Sequence, residues 1–118
     1  MGLDCSALTQ IVLAERGIML PRDAHEQFGQ VRRLGGAELP LFGDLVFFGA
    51  TPRRADHVGI ALGRGAFVHA RGWVRIDSLD GRNAMRDKEL RSQLIGYGRP
   101  SQTASLSENR LDRPTTLT

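Results

Sequence analysis

The sequence predicts an α+β domain on three observations. Helical periodicity is confined to the first 31 residues, the apolar residues from Leu45 onward come in runs of strand length, and glycine-containing turns separate those runs. Residues 4–16 form the first helix, with Leu8, Ile11, Val12 and the aliphatic stem of Glu15 at helical spacing. Asp4 or Ser6 caps its first turn and Gly17 stops it. A second, shorter helix opens at Asp23 behind Pro21, with Asp23 and Glu26 at capping-box spacing and Phe28 and Val31 toward the core. Gly35-Gly36 closes this helical part.

Leu45–Phe48 is an apolar run set between Gly43-Asp44 and Gly49, followed by a charged loop from Thr51 to Asp56. His57–Leu62 and Ala66–Ala70 read as two strands joined at Gly63-Arg64-Gly65, with Trp73–Ile76 as the third member of the meander. A polar stretch from Asp77 to Arg91 precedes a last strand at Leu94–Tyr97. The segment from Pro100 to Thr118 is rich in Ser, Thr, Asn, Arg and Pro without apolar periodicity, and is expected to be a disordered tail. The expected division is one domain over residues 1–98 and a tail over 99–118.

Composition fits one soluble globular domain. A chain of 118 residues with 41% hydrophobic and 25% charged positions supports a single core. No run of about 18 apolar residues is present, so no membrane span is expected, and the start lacks a basic-then-apolar leader. The net charge of +3 and pI near 10 do not indicate nucleic-acid binding. The cations alternate with acids, Arg32-Arg33 and Arg53-Arg54 are the only doublets, and aromatic residues are too few for a stacking platform. The single cysteine, Cys5, excludes an internal disulfide and a multi-cysteine metal site.

The hairpin makes a sharper statement. Pairing Leu62 with Ala66 across a three-residue loop sets His69 opposite Gly59 and makes His57 its diagonal neighbour on one face. Diagonal Cβ atoms on one face lie about 7–8 Å apart or less, within reach of two imidazoles. Gly59 is expected to leave the space between them open. Val58, Ile60, Leu62, Ala66, Val68 and Ala70 occupy the opposite, core-facing side, and a one-residue slip would separate the histidines.

Cys5 stands at the start of the first helix, where unpaired N–H groups and the macrodipole favour a thiolate; Asp4 opposes them. Cys…His…His is therefore the pattern of a nucleophile with a base and an orienting group. A small buried thiol beside two satisfied strand histidines, or a Cys/His/His metal site, uses the same residues. His25 has no matching partner and reads as solvated.

Five segments in order resemble the NlpC family of bacterial cell-wall cysteine peptidases. They are Gly2-Leu3-Asp4-Cys5-Ser6-Ala7-Leu8, Leu20-Pro21-Arg22-Asp23-Ala24 with Gln27, Gly43–Phe48, His57-Val58-Gly59-Ile60 and Phe67-Val68-His69-Ala70. The resemblance covers roughly residues 2–80. It implies a papain-like α+β fold, with the helix bearing the cysteine packed on an antiparallel sheet. It implies hydrolysis of peptidoglycan stem peptides, commonly between γ-D-glutamate and a diamino acid, with no metal or organic cofactor. By the same resemblance Cys5 is the nucleophile, His57 the general base and His69 its orienting residue. Asp4 and Ser6 match positions that help bind a free L-alanine amine, and Arg22 and Asp23 match a motif near the substrate groove.

The family's usual glycine after Asp-Cys-Ser is Ala7 here. Its tyrosine and Gly-Gly turn fall before Met1, so the domain is expected to be N-terminally incomplete. That tyrosine would assist an oxyanion hole that otherwise has the Cys5 N–H, and Tyr97 is not expected in the site. The alternatives from other classes are a silent module that binds wall peptides and an acyl or amide transferase on another substrate. The family works at the cell wall, in the periplasm, or on recycled wall fragments.

Overall fold

The computed structural model describes residues 4–51, 53–79 and 88–101. Most of the expected tail and residues 80–87 of the expected polar stretch lie outside them. Helix α1 (Cys5–Ala14) starts where Asp4 caps it, the carboxylate accepting the Ala7 N–H at 2.8 Å. It stops before Gly17, which adopts φ 78°. Helix α2 (Ala24–Gln30) has Asp23 at its N-cap position, yet the Asp23 side chain makes no capping bond. The expected capping box does not form, and Asp23 borders a cleft.

The strands are β1 (Arg32–Arg33), β2 (Leu45–Phe48), β3 (His57–Gly63), β4 (Ala66–Arg71), β5 (Trp73–Ser78) and β6 (Leu94–Arg99), with helix α3 (Lys88–Ser92) before the last. They form one antiparallel sheet in the order β1-β6-β2-β3-β4-β5. Strand β6 therefore returns between β1 and β2, and Gly98 allows it. A Cβ there would collide with Val31.

The β3–β4 turn differs from the expected one. Gly63 pairs with Ala66, leaving Arg64 and Gly65 as a two-residue turn, both at positive φ (55° and 83°) as a type I′ hairpin requires. A bulge between Ala61 and Gly63 absorbs the difference, so Ile60 still faces Val68 and Ala61 still faces Phe67. The register at the histidines is the expected one.

Two further expectations are corrected. The sheet is buried on both faces. Leu45, Phe47, Val58 and Ile60 pack with Leu13, Leu20 and Phe28 of the helical layer, while Val46, Phe48, Phe67 and Leu90 form a second cluster behind it. This is why β2 is an unbroken apolar run. Helix α1 buries Ser6, Thr9 and Leu13, whereas Ile11 and Val12 are 56% and 37% exposed. The inward face is partly polar because Gln27 of α2 satisfies it. Thr9 Oγ1 donates to Gln27 Oε1 at 2.7 Å, and Gln27 Nε2 donates to the Ser6 and Pro21 carbonyls.

Candidate active site

The seam made by Gln27 sets the start of α1 against α2, and a cleft of about 280 Å³ opens beside it. Asp4, Cys5 and Ser6 line it from α1, Asp23 and His25 from α2, and Arg54 and Asp56 from the loop before β3. Of the residues singled out in the sequence, Asp4, Cys5, Ser6 and Asp23 meet here. Arg22 joins them by bonding both Asp4 oxygens, at 3.2 and 2.7 Å, and Ser6 Oγ at 2.9 Å. The Arg22 guanidinium holds the Asp4 carboxyl below its usual range, helped by the Ala7 N–H. His25 is exposed, as expected of a solvated residue, and it borders the cleft.

Cys5 is half-buried, and its thiol lies in hydrogen-bonding contact with the Val58 N–H. That contact brings the sulfur to the residue beside His57. His57 and His69 are not among the cleft-lining residues, whereas Cys5 lines the cleft and also contacts Val58 of the sheet. Burial pushes the Cys5 thiol up from its ordinary value, the Val58 N–H opposes this, and the Asp4 charge adds to it. The expected depression of the thiol at the helix start is therefore reversed, because desolvation of the anion outweighs the backbone donors.

The two imidazoles meet as the register requires. His57 Nε2 and His69 Nδ1 are 2.6 Å apart, with the rings nearly perpendicular. Phe67 lies 4.8 Å from the His69 ring and Phe48 lies 5.7 Å from the His57 ring, between centroids. The space at Gly59 is filled and not open. A Cβ there would lie 2.9 Å from Phe67 Cδ2 and 3.2 Å from His69 Cβ. Glycine is needed because the Phe67 ring, the Val68 carbonyl and His69 Cβ close over it.

His69 is fully buried, and burial lowers its pKa against the opposing hydrogen bond to Asp77. That bond joins His69 Nε2 to Asp77 Oδ2 at 2.5 Å, and Arg75 Nε lies 3.0 Å from the same oxygen. Asp77 and Arg75 were missed in the sequence, where Asp77 opens the polar stretch. In the structure β5 runs on to Ser78 and pairs Asp77 with Phe67. The alternation Trp73, Arg75, Asp77 against Val74, Ile76 was the available signal, since it puts Arg75 and Asp77 on the histidine face. Tyr97 belongs to β6 and packs on the second core cluster. Among the described residues no group of three or more His, Cys, Asp or Glu is arranged to hold a metal ion.

The profile of the NlpC/P60 family matches residues 1–92. The chain is 37% identical over 100 residues to the bifunctional muramidase/DL-endopeptidase CwlT of Bacillus subtilis, covering 83% of this chain and 29% of that protein. It is 42% identical over 72 residues to the murein DD-endopeptidase MepS/murein LD-carboxypeptidase of Escherichia coli, covering 58% and 36%. A crystal structure from Staphylococcus aureus, of a protein similar to a lipoprotein of the NLP/P60 family, superposes with a TM-score of 0.67 at 32% identity, covering 81% of this chain and 31% of that one. The chain thus spans about a third or less of each. A papain-like helix-on-sheet fold, a cysteine at the helix start and a profile matching most of the chain lead to one conclusion: this chain belongs to the NlpC/P60 family.

Proposed function

We propose that this protein is a cysteine endopeptidase that hydrolyses peptidoglycan stem peptides at the γ-D-glutamyl–diamino acid bond. The observation that carries the reading is the Cys5 thiol against the Val58 N–H, one residue from a His57 ring bonded to His69. The kinship with peptidoglycan endopeptidases supports the substrate class.

In this mechanism Cys5 is the nucleophile, His57 the base and His69 its orienting partner. His57 takes the thiol proton as the sulfur attacks. Sulfur bonds to the amide carbonyl carbon, and the oxyanion faces the Cys5 N–H, which at the first position of α1 has no preceding-turn carbonyl to bond. The C–N bond breaks, His57 returns its proton to the leaving amine, and a thioester remains. Water then attacks the thioester, releasing the acid and restoring the thiol. Asp4 and Ser6, steadied by Arg22, receive the free amine of the stem peptide at the cleft, and Asp23 borders the same groove.

The test is incubation with L-Ala-γ-D-Glu-diamino acid peptides, with products followed by mass spectrometry and Cys5→Ala as control. Cleavage by the parent that persists in chelator and is absent in Cys5→Ala is expected. No cleavage, with Cys5 alkylating no faster than an ordinary thiol, would overturn the reading. Binding without turnover would assign a wall-peptide-binding module instead.

A further inference from the structure

We propose that Asp77 is a positioning residue which, with Arg75 against it, fixes the tautomer of His69 and through it that of His57. The inference rests on the reading of His57 as the base.

An ionised carboxylate only accepts hydrogen bonds. Asp77 Oδ2 lies 2.5 Å from His69 Nε2, and Arg75 Nε stands 3.0 Å from that oxygen, so this end of the chain of contacts holds an anion with a cation beside it. His69 must then carry its proton on Nε2. A neutral imidazole has one donor and one acceptor, which leaves His69 Nδ1 as the acceptor. The nitrogen 2.6 Å from it, His57 Nε2, has to be the donor. His57 Nδ1 then carries no proton, and it is the ring nitrogen on which His57 can take one up. One carboxylate two residues removed from the sulfur selects one of two arrangements that the histidine pair alone would leave equivalent.

The surroundings favour this relay over a loose contact. His69 is fully buried, Asp77 is buried, and the Phe67 ring packs tilted against His69. Water is thus kept from competing for His69 Nε2. The charged and titratable groups acting on His69 are Asp77 and Arg75 from β5, Arg71 from the end of β4, and the His57 ring from β3. Among these described groups Asp77 alone is an anion, and its Oδ2 is the atom that meets His69 Nε2.

The experiment has two arms on the full chain. In a Cys5→Ala background labelled with ¹⁵N-histidine, two-bond ¹H–¹⁵N spectra read the tautomer of each ring without any need for activity. Protons on Nε2 of both His57 and His69 are expected, and Asp77→Ala should shift both rings together toward mixtures with Nδ1–H. A His57 that holds its proton on Nδ1 in the parent, or tautomers that Asp77→Ala leaves unchanged, would overturn the inference. In the active chain, Asp77→Ala should lower kcat on the order of 10²-fold with KM within about threefold, since substrate contacts are untouched. Asp77→Asn, which keeps the side-chain size but can turn an N–H toward His69 Nε2, should not recover that loss. It is also the variant to use if Asp77→Ala does not fold; a tautomer change at His69 without a matching change at His57 then counts against the inference. If the parent cleaves and Asp77→Ala cleaves at the parental rate, only this inference fails. If the parent does not cleave, the function reading fails and the tautomer arm still decides the relay.

Discussion

Thr9 Oγ1 donates to Gln27 Oε1 at 2.7 Å across the buried seam between α1 and α2, and both side chains are fully buried. Gln27 also ties down the Ser6 and Pro21 carbonyls, at 3.1 and 2.9 Å. Its amide therefore fixes the cysteine-bearing end of α1 to the segment that carries Arg22. Gln27→Ala leaves these groups buried and short of partners, and should cost about 2–4 kcal/mol. Urea unfolding checks this, with a lower midpoint and an unchanged slope expected.

Gly59 should not tolerate a methyl group. The added Cβ would press on Phe67 and on the backbone carbonyl of Val68, 3.0 Å away, and neither is the free end of a flexible chain. Gly59→Ala is expected to destabilise by about 1–3 kcal/mol and to reduce peptide cleavage by parting the imidazoles. Thermal unfolding alongside the cleavage assay measures both; a variant with parental stability would contradict the close packing.

Asp4 raises the Cys5 thiol by its charge, after burial the main upward influence. Asp4→Asn removes the charge while keeping a good N-cap. Alkylation of Cys5 by iodoacetamide at neutral pH should therefore quicken by about two- to threefold, the size of effect a solvent-screened charge exerts. Slower alkylation would reverse the assignment. Peptide cleavage should fall in the same variant, since the amine contact is lost.

His69 gives the fold a pH dependence of definite sign. Its pKa lies below the ordinary 6.5 in the folded chain, so the unfolded chain binds the proton more readily. Stability from this group is complete above the unfolded value and declines as pH falls through and below 6.5. The lowered carboxylates, Asp4 and Glu38, act in the same direction but only below their ordinary values of 3.8 and 4.5. Denaturation midpoints measured between about pH 7.5 and 5 should thus fall for the parent and fall less steeply for His69→Gln. An equal slope in both would show that His69 is not the group responsible.

The sequence by itself determined the α+β layout, the helix start at Cys5 and the shared face of His57 and His69. Those features are local. Helical spacing, turn glycines and strand parity act over a few residues, and parity survived even a misplaced turn because the bulge at Ala61–Gly63 restored it. Only the tertiary structure decided that Asp77 completes the chain of contacts from His69, since that depends on β5 pairing with β4 to its end. It also decided that α1 buries Ser6 and Thr9 while Ile11 stays exposed, because Gln27 supplies their partners from another helix. The direction of the Cys5 thiol belongs to the same class. Capping and dipole are readable along the chain, whereas desolvation depends on what packs over the sulfur, and it is the larger effect here.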